Sequence, residues 1–408
     1  MSTTERLYYN DSHLTEFEAR VTSVTEQVSG WGAVTLDRTA FYPTGGGQPS
    51  DTGTLGTSHV VECIDDEAAG ILHVIHGRLP QVGSIVKGHV DWPRRLDHMQ
   101  QHTGQHILSQ AFFRLFNAET RSFRMMEQYS EIDVELTNPG DGRINEAVEL
   151  ANKIIWDDRA VHVREVTSEE AALLPLRKDS ERAGELRIIE IEDFDLSPCG
   201  GTHARRTGEV GVIAVRSWER AKGLTRMEFL AGGRVVADYR RANRTARNVA
   251  SLFSVARDEA TASVERLMEE NKQLSRRVRV LEEVAARVEA EELFRDAIPQ
   301  EDGTKIIAHV FDDRDAGQLQ RLAHQIASHP KAVALLGSHD KDAARLVFAR
   351  SADAAGDMNL LMREACALLG GRGGGRPDMA QGGGQNTERL SDALQAASST
   401  LVNGERQN

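Results

Sequence analysis

Residues 91–116 read DWPRRLDHMQQHTGQHILSQAFFRLF, and the reading of this stretch decides how the rest of the chain is organised. Asp91 is a candidate N-cap and Pro93 falls in the first turn, where a missing N–H costs nothing. Leu96, Met99, Thr103, Ile107, Ala111 and Leu115 recur at helical spacing and predict one apolar stripe. His102 and His106 lie along its edge, four residues apart, so their side chains stack one turn from each other on the same face. Two imidazoles so placed can chelate a single ion; they can equally be a satisfied pair in a protein interior.

Upstream, residues 1–90 are rich in Thr, Val and Gly, with alternating runs such as EARVTSVTEQV and GSIVKGHV between turn residues. This predicts a small β-domain, a barrel or sandwich. Downstream, residues 91–235 mix the helix above and a second one around NEAVELANKIIWDD with strands (EIDVEL, LRIIEIED, VGVIAVRSW, TRMEFLAG), an α+β layer arrangement in which the histidine helix is expected to pack on the sheet.

Proline is absent from about Gly233 to Arg295, and one long helix is expected there. Val264, Asn271, Val278 and Ala285 fall every seventh residue, as do Leu267, Leu274, Leu281 and Val288 three places later. That is an a/d seam, with Asn271 at an a position as a register-fixing device, so residues 236–298 read as a helical dimerisation segment. An amphipathic helix folding back on its own chain is the alternative. The final segment, 299–408, alternates strands (KIIAHVF, KAVALLG, ARLVFAR) with helices, as an α/β domain does. Its run GGRGGGRPDMAQGGG, 370–384, has neither the dinucleotide-binding spacing nor a phosphate loop's Lys-Ser/Thr, and says only that the backbone turns sharply or is closely approached. The fold class is therefore α+β and multidomain.

With 408 residues, 27% charged and 40% apolar, several cores are expected and no bilayer-spanning run is found. MSTTERLYYNDS lacks a signal-peptide layout, and Cys63, Cys199 and Cys366 are too few for a disulfide framework; reduced thiols, a cytoplasmic location and no membrane partner are expected. A net charge of -13 argues against broad nucleic-acid affinity, yet between Arg205 and Arg247 eleven basic residues face only four acidic ones.

A second informative stretch is SPCGGTHARRTGE, in which Cys199 and His203 are four apart and Gly200 and Gly201 free the loop to aim both at one point. Thiolate and neutral imidazole suit zinc. Each pair alone is weak; together they point to a zinc protein, and a purely structural zinc stands beside a catalytic one.

Three ordered motifs, FYPTGGGQPSDTG (41–53), HTGQH (102–106) and PCGGTH (198–203), resemble the editing domain of alanyl-tRNA synthetases and their free-standing AlaX-type relatives. The tail resembles the DHHA1 domain that closes those synthetases. The β-domain begins near residue 1, ahead of which the synthetase carries its class II catalytic domain, so amino acid activation is not expected and ATP is not required. The nearest approach to a DHH phosphoesterase motif, Asp97-His98-Met99, lies inside the helix.

The resemblance implies one Zn2+ per chain held by His102, His106, Cys199 and His203, with His102 and His106 acting through it. The implied reaction is hydrolysis, in trans, of a wrong amino acid (serine, then glycine) from alanine tRNA. Such a second site is needed because one methylene or one hydroxyl is worth only about 1–3 kcal/mol in a synthetic pocket. Substrate contacts are expected from Thr44, Gly45, Gly46, Gln48, Thr120 and Ser122, and tRNA contacts from Arg205, Arg206, Arg372 and Arg376. In the run AETRSFRMM the family often has His and then Gly where this sequence has Arg124 and Met126, so the resemblance implies a locally different pocket. Asp193 and Asp195 could orient a ligating His. A homodimer through residues 250–295 is implied; a non-catalytic tRNA-binding module with structural zinc is the other reading.

Overall fold

A computed structural model describes residues 4–28, 30–177 and 184–404. The chain divides into two compact units, Met1–Val249 and Ala250–Asn408, each described by itself.

In the first unit, alternation of inward and outward side chains produces six barrel strands: β1 (Glu16–Val28), β2 (Trp31–Leu36), β3 (Gly53–Leu55), β4 (Ser58–Asp66), β5 (Gly70–His76) and β6 (Ile85–Val90). Ile71, His73 and Ile75 point inward from alternate positions of β5. The strands close in the order β1-β2-β5-β4-β3-β6, a barrel filled by Phe17, Val21, Val34, Leu36, Val60 and Val90 among others.

From the barrel the chain passes directly into α1 (Trp92–Phe116). Asp91 does sit at its N-cap, but its side chain caps nothing; it accepts the Thr52 hydroxyl at 3.4 Å. The expected single apolar stripe is a correction: every residue from Gln101 to Phe112 is buried, whereas Leu96 is half-buried and Leu115 exposed. The helix is surrounded because sheets and the barrel's loops enclose it together. One wall is a sheet in the order β12-β13-β8-β7, formed by β7 (Thr120–Met125), β8 (Ser130–Val134), β12 (Ile213–Ala221) and β13 (Leu224–Ala231). Gly104 makes this packing possible, since a Cβ there would lie 3.1 Å from that of Ala231. Helix α2 (Asp141–Trp156) packs beside α1, sharing a core of Ile107, Leu108, Phe112, Ile132, Ile154 and Phe229. A second, antiparallel sheet, β9 (Val161–Thr167), β10 (Glu185–Ile191) and β11 (Asp195–Pro198), delivers the chain to Cys199.

Arg95, wholly buried near the start of α1, ties the helix to the barrel side. Its Nε lies 3.1 Å from both carboxylate oxygens of buried Asp51, and Nη2 also reaches Asp51. Nη1 donates to the Ser12 carbonyl and Nη2 to that of Ala40, both at 2.6 Å.

The helical stretch expected from 233 to 295 is two helices, α3 (Gly233–Leu252) and α4 (Ala260–Asp296). The break has no Gly or Pro; Ser254 takes a left-handed φ of 55°, and the Phe253, Ser254 and Val255 N–H groups fold back onto the Ala250 and Ser251 carbonyls.

In the second unit α4 shows two faces. Ala286 and Ala290, with Leu293 and Phe294, pack toward α5 (Ala316–Ala327), and Glu282 and Glu289 pair with Arg321 and Arg314. The seam of Val264, Leu267, Leu274, Val278, Leu281 and Val288 lies elsewhere on the helix and is exposed, Leu274 by 60% and Leu281 by 64%. The sheet runs β14 (Lys305–Asp312), β15 (Ala332–His339), β16 (Ala344–Arg350), β18 (Met379–Gly384), β17 (Arg372–Gly375), with only the first pair parallel. Helices α6 (Met358–Leu368) and α7 (Leu390–Gly404) pack against each other on its core. The glycine run forms the β17–β18 hairpin. Close approach explains it, because a Cβ on Gly373 or Gly382 would lie 2.7 or 2.5 Å from the buried Cys366 Sγ.

Removing one partner of a fully buried ion pair leaves an unpaired charge, so Asp51→Ala is expected to cost about 3–5 kcal/mol of first-unit stability. Urea unfolding of the full chain checks this.

Candidate metal centre

Helical spacing aims His102 and His106 from α1 toward the loop after β11, which brings Cys199 and His203 to meet them. One potential ligand atom from each of the four lies within 4.8 Å of the others. The Cys199 Sγ is 3.3 Å from His102 Nε2 and 3.3 Å from His203 Nε2. The loop owes this approach to Gly201: a Cβ there would stand 2.2 Å from His102 Cε1. Arg187 clamps the same loop, its Nη1 donating to the Cys199 carbonyl at 2.8 Å and to that of Gly201 at 2.9 Å.

Each imidazole is oriented through its other nitrogen. His102 Nδ1 donates to Gln48 Oε1 at 2.7 Å, and the Gln48 amide is in turn fixed by donating Nε2–H to Thr202 Oγ1 at 2.9 Å. His106 Nδ1 meets Asp195 Oδ2 at 3.1 Å, and His203 Nδ1 meets Thr103 Oγ1 at 3.2 Å. With every Nδ1 engaged, Nε2 of each ring is the atom left for an ion. Asp195 is itself held by Arg177 Nε at 2.8 Å and by the Ser197 hydroxyl.

The ionisation states match a metal-binding set. Burial would raise the Cys199 thiol, but the adjoining imidazoles, that of His102 first, outweigh it and hold the thiol well below its usual range, as thiolate. Burial depresses His203 to about 3, against the pull of Cys199, so it is neutral. Burial also opposes the charged form of His106, yet the bond to Asp195 and the nearby thiolate raise it to about 8. Asp195, despite burial, is held at about 2 by Arg177 and His106. The His203 nitrogen and the Cys199 thiolate are thus ready for a soft cation, and His106 loses a proton to join them.

His102, His106 and Cys199 line a cleft of about 730 Å³, with Gln105, Thr120, Ser122 and Phe123 on its walls. The centre is therefore open on one side. Among residues expected at a substrate, Gly46, Thr120 and Ser122 border the cleft, and Thr44 and Gly45 do not. Gly45 and Gln48 bond to each other through their backbones in a tight turn, and Gly46 and Gly47 have φ of 55° and 82°. Gln48 is wholly buried and holds His102. Asp195, not Asp193, meets a histidine; Asp193 occupies a left-handed turn position.

In the basic segment 205–247, Arg205 pairs with Asp11, Arg206 with Asp158, Arg226 with Asp133, Arg234 with Asp97 and Arg241 with Asp238, so part of its local charge is met by carboxylates mostly from elsewhere in sequence. In the second unit Arg376 pairs with Asp378, and Arg372 is exposed on β17. Sequence reading missed Gln105, Arg177 and Arg187. Gln105 stood inside the HTGQH motif as a signal; the two arginines reach the site from a loop and a strand with no spacing to betray them.

Three families match segments of the chain: DHHA1 domain over residues 303–403, threonyl and alanyl tRNA synthetase second additional domain over 186–228, and tRNA synthetases class II (A) over 2–94. Fold and site thus define a class, a mixed α+β multidomain protein in which a segment matching the synthetase second additional domain brings Cys199 and His203 to two helix histidines and a long helix precedes a DHHA1 domain. Among curated relatives, the alanyl-tRNA editing protein AlaX-L of Pyrococcus horikoshii is 32% identical over 396 residues, covering 93% of this chain and 94% of that one. The chain belongs to that AlaX-L family of alanyl-tRNA editing proteins. It is also 30% identical to the alanine–tRNA ligase of Methanobrevibacter smithii and 32% identical to that of Pyrobaculum calidifontis, spanning 45% and 44% of their lengths. A solved structure, the C-Ala domain of Aquifex aeolicus alanyl-tRNA synthetase, is 26% identical, covers 24% of this chain and 92% of that one, and has a TM-score of 0.24.

Because metal must displace the His106 proton below about pH 8, while Cys199 and His203 are already deprotonated, that one proton should contribute about a tenfold rise in affinity per pH unit toward pH 8. Chelator competition across pH 6–9 measures this slope.

Proposed function

We propose that this chain hydrolyses, in trans, the ester joining a wrong amino acid to alanine tRNA, serine first and glycine second, using zinc held by His102, His106, Cys199 and His203. The observation that carries the reading is the gathering of three imidazoles and a thiolate at the wall of an open cleft. A tetrahedral zinc with bonds of about 2.1 Å to nitrogen and 2.3 Å to sulfur separates those atoms by about 3.6 Å. The two 3.3 Å nitrogen–sulfur spacings are close to that. When bound, zinc supplies Lewis acidity toward an ester carbonyl or an attacking water. The chain's own part is to keep Nε2 of each ring available through Gln48, Asp195 and Thr103, and to shape the cleft that receives the aminoacyl group.

Arg205, Arg206, Arg372 and Arg376 are proposed to meet tRNA phosphates. Arg205 and Arg206 keep more than half of their side-chain surface exposed despite their ion pairs, so phosphate can exchange for carboxylate. The exposed seam of α4 supports a homodimer through residues 250–295. A cytoplasmic setting is supported by three free cysteines, two of them buried, and among the described residues no helix is long and apolar enough to cross a membrane. The domain limits 1–90, 91–235, 236–298 and 299–408 are part of the same proposal.

A second reading, a tRNA-binding module with structural zinc, is favoured by one observation: four protein donors can close a tetrahedral ion. Deacylation assays on serine- and alanine-charged alanine tRNA test the proposal. Selective release of serine, lost in Cys199→Ala while the thermal midpoint and tRNA binding persist, is expected. Equal hydrolysis of both esters, or of neither, ends the editing reading; global unfolding of Cys199→Ala supports the structural one. Asn271→Leu should stabilise or reorder the dimer, and a monomer in solution scattering would remove the pairing idea.

A further inference from the structure

Gln105 occupies the turn of α1 between the two imidazoles, immediately before His106, and lines the cleft with them while only 7% exposed. Its amide is oriented by neighbours. Nε2 donates to Ser109 Oγ at 2.8 Å, and the same oxygen accepts the Thr120 hydroxyl at 2.7 Å. With its donor end drawn back along the helix, the opposite end of the planar amide, Oε1, is the end available to the cleft that Gln105 lines. The hydroxyl protons on this wall are engaged, that of Thr120 with Ser109, that of Ser122 with Asp133 Oδ2 at 2.7 Å and that of Ser197 with Asp195, so these groups meet a ligand only as acceptors. A carbonyl oxygen on a cleft wall, with its own amide N–H already engaged, can accept a hydrogen bond from a bound ligand.

We propose that Gln105 is a specificity-determining residue whose Oε1 accepts a hydrogen bond from a hydroxyl on the aminoacyl side chain. A hydroxylated ester completes the acceptor, whereas an alanyl ester sets a methyl against it and leaves it unmet; sites that bond a substrate hydroxyl discriminate in this sense. The inference rests on the deacylase reading and adds to it the residue that tells error from correct product. Thr120 and Ser109 are positioning residues here, since they hold the amide and leave the substrate to Gln105.

The test is the ratio of kcat/KM for serine-charged over alanine-charged alanine tRNA, measured with the full-length, zinc-loaded protein. In Gln105→Met, of similar length but without an acceptor, the ratio should fall about tenfold or more, with zinc content and thermal midpoint at wild-type levels. Ser109→Ala, which frees the amide to rotate and does not border the cleft, should lower the same ratio by a smaller factor and serves if the first variant misfolds. An unchanged ratio in both variants, or an equal loss on both esters, overturns the proposal while leaving the deacylase reading intact. A wild-type protein inactive on both esters removes that reading and this assignment together.

Discussion

The ion pair between Arg95 and Asp51 is the constraint on which the first unit depends. Both side chains are wholly buried, and the guanidinium satisfies itself on one carboxylate and two main-chain carbonyls. Asp51 in turn accepts the Tyr42 N–H at 2.7 Å. Charge removed from water is tolerated only when every donor is met. That requirement places the segments around Ser12, Ala40 and Asp51 against one helical turn. The consequence reaches the site, because Ser12, whose carbonyl takes an Arg95 proton, also takes the His203 N–H on its hydroxyl at 3.3 Å. Seven residues along the same helix stands His102. Barrel, helix and ligand loop are therefore registered by one polar junction.

An enclosed helix so rich in Gln, His, Ser and Thr would be unstable without partners for its side chains. The structure supplies them from distant segments: Gln101 exchanges bonds with the Ala231 backbone, Gln110 donates to the Phe194 carbonyl, and Thr103 accepts the Ala204 N–H. This also explains how much of the molecule was legible in its sequence. The ligand pairs were readable because i and i+4 on a helix, and two glycines in a short loop, are local properties. Gln48 as an orienting partner was not, since a contact across 54 residues leaves no periodic trace. Asp195, 89 residues from His106, is legible only through its closeness to Pro198 in the chain.

Other departures have the same origin. Counting charge from Arg205 to Arg247 overstated a positive surface because Asp11, Asp97, Asp133 and Asp158 lie on segments folded against it. The long helix was expected to be continuous since nothing between Leu252 and Ala260 is a strong breaker; the backbone stops there on its own hydrogen bonds. The stripe on α1 failed for a physical reason: periodicity predicts which face is buried when one face is, and this helix is buried around its whole circumference over twelve residues, Gln101–Phe112. By contrast the heptad pattern of α4 describes a face that stays exposed beside a separate docking face.

The flush seat of Gly201 on the His102 ring bears on any attempt to redesign this cleft. Randomising the cysteine-bearing loop would displace the imidazole before it altered what enters, so libraries there would return mostly inactive clones. The opposite wall, on β7, carries Thr120, Ser122 and Phe123 on a regular strand whose backbone bonds do not depend on side-chain identity. Changing what this cleft receives should start from that strand, leaving the histidine–cysteine side untouched.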